Sequence, residues 1–243
     1  FSNVQFRVTD GELTITKRNV VLTSAAASKS YDGTPLTNSE VTVTGDGFAD
    51  GEGADYHVTG SQTVVGSSDN TFAEPAYTLH DNTKAGNYNI TTEEGILIVT
   101  ANDSEVVVTI MERGDTVTYD GTAHTVSGYD VVSISNNLYH ENDFTFVGDT
   151  AHQTVSGTNA GTYDMALSAS DFRNDNVNFS KVTFVIRNNT LKIDRKLLKL
   201  TSPSASKIYD GEALTATNLT IDGLVAADAG KLTYEVTGTQ TAV

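Results

Sequence analysis

The chain repeats itself over a long distance. Residues 1–65 align without a gap with residues 179–243, and about 28 of the 65 positions are identical. A shorter signal, the triplet Tyr-Asp-Gly, occurs at Tyr31-Asp32-Gly33, Tyr119-Asp120-Gly121 and Tyr209-Asp210-Gly211. Successive triplets are separated by about 90 residues, which is the length of one small domain. The sequence therefore predicts two alternating domain types, A and B, within one longer period that carries residue 1 onto residue 179.

The repeat predicts four segments. Residues 1–18 are expected to be the C-terminal strands of a preceding repeat of type A or type B, residues 19–101 a type A domain, residues 102–195 a type B domain, and residues 196–243 the N-terminal part of a further type A domain. The joints are very short, which favours an elongated rod over domains on long tethers. Because the chain starts with Phe1 and has no C-terminal tail, we expect it to be a piece of a longer protein.

The local patterns predict an all-β fold of tandem small β-sandwich or β-grasp-like domains. Strands are indicated by alternating, β-branched segments, which lie at residues 13–16, 41–44, 96–99, 106–110, 182–186 and 191–193. No long amphipathic helix is indicated, and residues 47–54 and 225–230 are expected to form at most a single helical turn.

The Tyr-Asp-Gly triplets are interpreted as a structural motif. Asp followed by Gly favours a tight turn, because glycine enters the left-handed backbone region without a steric penalty. The tyrosine is expected to cover the core beside the turn.

Composition excludes several classes of partner. The chain has 31 acidic and 15 basic residues and a net charge of −16, so it would be repelled by nucleic acid and by anionic membranes. It contains no cysteine, which excludes disulfides and thiolate metal sites. We expect a monomer without a cofactor and without direct membrane contact.

Two acidic segments are candidate calcium sites, because calcium prefers oxygen ligands. The first consists of Asp171, Asn174, Asp175 and Asn176, and the second of Asp46, Asp50, Glu52 and Asp55. Neither matches an EF-hand loop, and the second is mostly lost in the repeat, where Asp228 is the one acidic residue retained. We expect solvated loops and keep calcium as the alternative.

Catalytic and sugar-binding residues are sought among the histidines and aromatics. The five histidines lie in polar, turn-like contexts without a nucleophile motif, so no catalytic site is predicted. Tyr56, Tyr77, Tyr129, Tyr139 and Phe144 are candidates for an exposed sugar platform, although core positions are the preferred interpretation. Three lysines, Lys29, Lys181 and Lys207, are candidates for a spontaneous Lys-Asn bond.

The wider motif Lys-x-Tyr-Asp-Gly-x-x-Leu-Thr occurs at residues 29–37 and 207–215, and Ala-Gly-x-Tyr follows at residues 85–88. Together these motifs resemble the YDG-containing MBG-type repeats of bacterial surface proteins. The resemblance implies tandem arrays on cell-wall-anchored proteins, especially of Gram-positive gut commensals, that act in display or adhesion. The middle copy, at residues 118–125, lacks the lysine and the leucine.

Three functions follow as expectations. The first is a non-enzymatic, extracellular adhesin stalk and display module, anchored through parts outside this chain. The second is a dedicated module, formed by the A–B pair, that binds a host extracellular protein or glycan such as immunoglobulin, mucin or a matrix protein. The third and most remote is an accessory domain of a secreted hydrolase.

Overall fold

The computed structural model describes residues 2–243, which form two compact units. The first unit comprises residues 1–104 and 176–181, and the second comprises residues 105–175 and 182–243. Phe1, the first residue of the predicted segment 1–18, lies outside the described residues.

The first unit is built from eight short strands and one 3-10 turn, Ala85–Asn87. The strands are β1 (Arg18–Ser24), β2 (Ala27–Ser30), β3 (Val41–Gly45), β4 (Ala54–Val58), β5 (Gly66–Asn70), β6 (Phe72–Leu79), β7 (Tyr88–Glu93) and β8 (Gly95–Thr100). They form the sheets β3-β1-β7, β2-β8-β5 and β4-β6.

The second unit contains twelve strands. They are β9 (Val106–Glu112), β10 (Asp115–Thr118), β11 (His124–Ser127), β12 (Tyr129–Ile134), β13 (Phe144–Phe146), β14 (Thr154–Gly157), β15 (Gly161–Asp164), β16 (Phe172–Asn174), β17 (Val182–Arg187), β18 (Thr190–Asp194), β19 (Lys199–Thr201) and β20 (Thr220–Asp222). Its 3-10 turns are Glu141–Asp143, Thr150–Gln153, Ala169–Asp171 and Ala226–Asp228. The sheets are β12-β9-β17, β10-β18-β15, β11-β14, β13-β16 and β19-β20.

The two units share one pattern of strand pairing. In the first unit, β1 pairs in parallel with β7 and antiparallel with β3, and β8 pairs in parallel with β2 and antiparallel with β5. In the second, β9 pairs in parallel with β17 and antiparallel with β12, and β18 pairs in parallel with β10 and antiparallel with β15. The first strands of each domain are therefore closed by its last strands, so the core depends on contacts distant in sequence.

The core of the first unit follows from the alternation of β1. Val20 and Leu22 point inward and are buried against Tyr88 of β7. Successive strand residues face opposite sides, so the intervening positions stay less buried. Partly buried side chains then surround this cluster: Val41, Val43, Phe48, Tyr56, Phe72, Tyr77 and Ile90.

The core of the second unit contains an aromatic cluster. Phe172 lies edge-on to Tyr129, with ring centroids 5.0 Å apart, and 5.5 Å from Phe184. Phe144 lies 5.3 Å from Phe184, so rings from β12, β13, β16 and β17 meet. Buried aromatic rings of this kind fill much of a small core.

The all-β prediction is confirmed, since the longest helical element described is shorter than seven residues. The strands predicted at 41–44, 96–99, 106–110, 182–186 and 191–193 are present, and residues 226–228 form the single turn expected within 225–230. The strand predicted at 13–16 is wrong: Leu13 and Ile15 are both 100% exposed and residues 4–17 form no ladder. An extended segment becomes a strand only when a neighbour pairs with its backbone groups.

Candidate functional site

The first Tyr-Asp-Gly triplet forms a turn held by its own side chain. The Asp32 carboxylate accepts hydrogen bonds from the Thr34 backbone N–H at 2.9 Å and from the Thr34 hydroxyl at 2.7 Å. Gly33 has a φ of 80°, in the left-handed region that favours glycine. The Tyr31 N–H donates to the Thr100 carbonyl at 2.8 Å, which attaches the turn to the end of β8.

The other two triplets have the same geometry. Gly121 and Gly211 both have a φ of 84°. Asp120 accepts from the Thr122 N–H at 2.9 Å, and Asp210 accepts from the Glu212 N–H at 3.0 Å. A β-carbon on Gly121 would lie 2.7 Å from the Ala227 β-carbon, so this position excludes side chains for packing reasons as well as backbone ones.

Each turn aspartate has a cationic or potentially cationic partner. Lys29 bonds to Asp32, and Lys207 bonds to Asp210, each at 2.7 Å. These hydrogen bonds lower the pKa of both carboxyls. Two of the three candidate lysines for a Lys-Asn bond are therefore engaged with aspartates.

The middle turn lacks the lysine and uses a histidine. His124 Nε2 lies 3.0 Å from the Asp120 carboxylate. The pKa of Asp120 is lowered to about 2, mainly by the hydrogen bonds from the Thr122 hydroxyl and N–H and then by His124. The missing lysine of the sequence motif is thus replaced four residues after the aspartate.

The tyrosine rings contact residues distant in sequence. Tyr31 lies edge-to-face with Phe179, with ring centroids 5.6 Å apart. The Tyr119 hydroxyl donates to the Asp228 carboxylate at 2.9 Å, and this bond raises the pKa of Tyr119. Tyr209 is 66% exposed. The surroundings of the tyrosine ring therefore differ from one turn to the next, and the expectation that it covers the adjacent core stays a prediction.

The buried polar residues that sequence reasoning missed include Ser24 and Glu112, at the ends of β1 and β9. The Ser24 hydroxyl accepts from the Gly95 N–H at 3.0 Å. The Glu112 carboxylate accepts from the Asn189 N–H at 3.0 Å and from the Leu167 N–H at 3.2 Å. Strand alternation could have revealed both, because each continues an inward-facing apolar series.

Residues 106–194 match the family model described as the MBG domain. The match begins at the first residue of β9 and ends at the last residue of β18. Residues 106–194 are an MBG domain. MBG domains are repeat domains of bacterial surface proteins. No curated protein and no solved structure matches the chain.

In the MBG domain, the calcium candidates contact other protein side chains. Asp171 is buried and accepts from Ser168 and from His152 Nδ1 at 2.8 Å. Burial acts to raise the pKa of Asp171, but these hydrogen bonds outweigh it and lower the pKa. Asp175 bonds to Arg173 at 2.6 Å, and Asn174 accepts from Tyr139 at 2.9 Å.

The fourth candidate, Asn176, accepts from the Asn178 N–H at 3.0 Å. The four candidate calcium ligands of the first segment therefore each contact a different partner. In the second acidic segment, Asp46 accepts from Asn19 at 2.8 Å and Glu52 accepts from the Tyr88 hydroxyl. Across residues 2–243, no group of three or more histidine, aspartate or glutamate side chains is placed to hold a metal ion. Over the same residues, no helix has the length and hydrophobicity to cross a bilayer.

The contact between the half-exposed His152 and the buried Asp171 joins two loops of the MBG domain. The Ser168 hydroxyl donates to Asp171 at 2.9 Å, so this serine contacts the acid and not the imidazole. A nucleophilic triad requires the hydroxyl to contact the histidine. The arrangement therefore links the turns at Thr150–Gln153 and Ala169–Asp171.

The candidate platform aromatics lie mostly in cores. Tyr139 and Phe144 are buried in the MBG domain, with ring centroids 6.4 Å apart. Tyr129 belongs to the same aromatic cluster, whereas Tyr56 and Tyr77 pack against the core of the first unit. These five side chains do not form one exposed surface, so the platform alternative is wrong and the core interpretation is confirmed.

Proposed function

We propose that this chain is a non-enzymatic section of a bacterial surface protein that extends and displays other parts of that protein. The match of the MBG model to one closed domain carries this proposal. The long repeat that relates residues 1–65 to residues 179–243 supports it, because domains in series add length in proportion to their number. The net charge of −16 would oppose collapse of neighbouring arrays onto each other.

An extended shape is the physical requirement of this function. We expect small-angle X-ray scattering of the whole chain to give a radius of gyration of about 26 Å, as for a rod about 90 Å long, because each small domain spans ~30 Å. A single globule of 243 residues would instead give about 18 Å. A radius of gyration at physiological salt as small as that of the single globule would contradict the proposed spacer function.

A second candidate function is binding of a host protein, and one surface favours it. On β8, Leu97 and Val99 point inward, whereas Ile96 and Ile98 are 48% and 43% exposed. Ile98 lies between Ser28 and Ser67, and the corresponding position of the MBG domain is Lys192, between Thr116 and Thr162. Type A therefore presents an apolar pair where type B presents a cation.

Binding can be tested by surface plasmon resonance with the whole chain over immobilised host immunoglobulins, mucins and matrix proteins. A binding module is expected to give a saturable, sub-micromolar response that Ile98→Lys reduces at least about tenfold, because a charge would be desolvated in an apolar contact. Val132→Lys, at an exposed position on β12 of the MBG domain, is the matched control. Silence across the panel, with control ligands active, would reject this candidate and leave the spacer.

A further inference from the structure

Residues 176–181 belong to the MBG domain by sequence but to the first unit by their contacts. This segment, named the clasp loop here, lies between β16 and β17. Its Phe179 is 2% exposed, and the ring lies edge-to-face with Tyr31 at a centroid distance of 5.6 Å. A loop of the MBG domain therefore buries an aromatic ring against the Tyr-Asp-Gly turn of the first unit.

Hydrogen bonds hold the clasp loop in place on both sides of this ring. Before the ring, the Asn178 side-chain oxygen accepts from the Val65 N–H at 2.9 Å, and the Asn178 carbonyl accepts from the Asn102 N–H at 2.8 Å. After the ring, the Ser180 N–H donates to the Asn102 carbonyl at 3.0 Å and the Ser180 hydroxyl donates to it at 3.2 Å. Asn102 and Phe179 are therefore paired as in one step of a parallel ladder.

Asn102 stands in the linker that follows β8, residues 101–104. Its side-chain amide donates to the Tyr31 carbonyl at 3.0 Å, and its side-chain oxygen accepts from the Ser104 N–H at 2.9 Å. Asp103 and Ser104 are exposed, and exposed connections are the preferred sites of proteolytic cleavage. Cleavage requires the backbone to open locally, and the bonds between Asn102 and the clasp loop oppose that opening.

The corresponding segment of the first unit has a different character. Because β7 and β17 occupy the same place in the pairing pattern, the clasp loop corresponds to the segment that ends at the turn Ala85–Asn87. This turn is exposed and contains no aromatic residue. The long repeat, in contrast, relates Phe179-Ser180 to Phe1-Ser2. The phenylalanine therefore recurs with the long period and not with every Tyr-Asp-Gly turn.

We infer that Tyr31, Val65 and Asn102 form a docking surface for the domain that follows in the chain, and that docking protects the linker from cleavage. The surface fits a loop that presents an aromatic ring between an amide oxygen and a hydroxyl, as Asn178-Phe179-Ser180 does. The edge-to-face contact of the two rings is an arrangement that aromatic pairs prefer. The inference rests on the surface-array function proposed above and adds how successive domains are joined.

The docking surface can be tested by removing the ring from the complete chain. Phe179→Ala would leave a cavity beside Tyr31, so we expect the Val65 and Asn102 amides to exchange hydrogen at least about tenfold faster. Proteolysis follows the population of the open form, so cleavage of residues 101–104 by proteinase K, located by mass spectrometry, is expected to accelerate at least about tenfold. Val177→Ala is the matched control, because Val177 lies in the same loop and is 71% exposed. It should change neither rate.

The amides of β9 report separately whether the MBG domain stays folded, and they should keep their exchange rates in Phe179→Ala. If either the exchange of the two amides or the cleavage of the linker stays at its original rate, the inference is wrong. It is also wrong if Val177→Ala has the same effect, or if the β9 amides accelerate equally, because the ring would then support the MBG domain itself. None of these results alters the scattering test of the spacer, which uses the original chain.

Discussion

Replacement of Glu112 by alanine is expected to lower the free energy of unfolding of the MBG domain by about 3 to 5 kcal/mol. Glu112 is 1% exposed, and its two carboxylate oxygens accept from the backbone N–H groups of Leu167 and Asn189. Alanine would leave the buried Leu167 N–H and the partly buried Asn189 N–H without this acceptor and would open a cavity beneath them. Native-state hydrogen exchange of the β9 amides measures this loss within the MBG domain itself.

A second variant at the same position separates the hydrogen bonds from the volume of the side chain. Glu112→Gln keeps the shape and one carbonyl oxygen, so a loss of about 1 to 3 kcal/mol is expected. Ser24→Ala removes the corresponding acceptor from the first unit, where one backbone N–H, that of Gly95, depends on it. If Glu112→Ala leaves the exchange rates of the β9 amides unchanged, the Glu112 carboxylate does not support the closing strands.

Ser24 and Glu112 show which features of the fold could be predicted from the sequence. The alternation of Val20, Leu22 and Ser24 along β1 is local, and so is the left-handed glycine of each Tyr-Asp-Gly turn. Local signals of this type depend on side-chain period and backbone sterics, which neighbouring residues largely determine. Strands, turns and the repeat were therefore predictable.

Contacts between distant strands were not predictable in the same way. The parallel pairing of β1 with β7 joins residues about 70 positions apart, and no local pattern specifies such a partner. The failed strand at residues 13–16 has the same origin, since its composition favours a strand but no ladder partner lies beside it. The domain boundaries drawn from the repeat stay a prediction.

The partners of the turn tyrosines illustrate the remaining difficulty. All three triplets are identical, yet Tyr31 contacts a ring, Tyr119 contacts a carboxylate and Tyr209 is exposed. The triplet determines the turn, whereas the partner is determined by residues that reach it from other loops. A motif repeated in sequence can therefore have one backbone structure and several roles.

Replacement of Gly95 by alanine is expected to destabilise the first unit by about 3 kcal/mol, although it adds one methyl group. The new β-carbon would lie 2.7 Å from the carbonyl carbon of Ala25 and from the nitrogen of Ala26, and closer still to the Ser24 carbonyl oxygen. All three contacts are with backbone, which cannot move aside as a flexible side chain can, so β8 must shift away from the end of β1.

The appropriate control is Gly11→Ala, because nothing lies within 4 Å of a β-carbon at Gly11. This variant is expected to change the free energy of unfolding by less than about 0.5 kcal/mol. Denaturant unfolding followed by circular dichroism, with hydrogen exchange of β8 amides, compares the two proteins directly. Equal stability of both variants would mean that β8 can move away from β1 without loss. In that case the contact between Ser24 and Gly95 would not determine how the last strand closes the first unit.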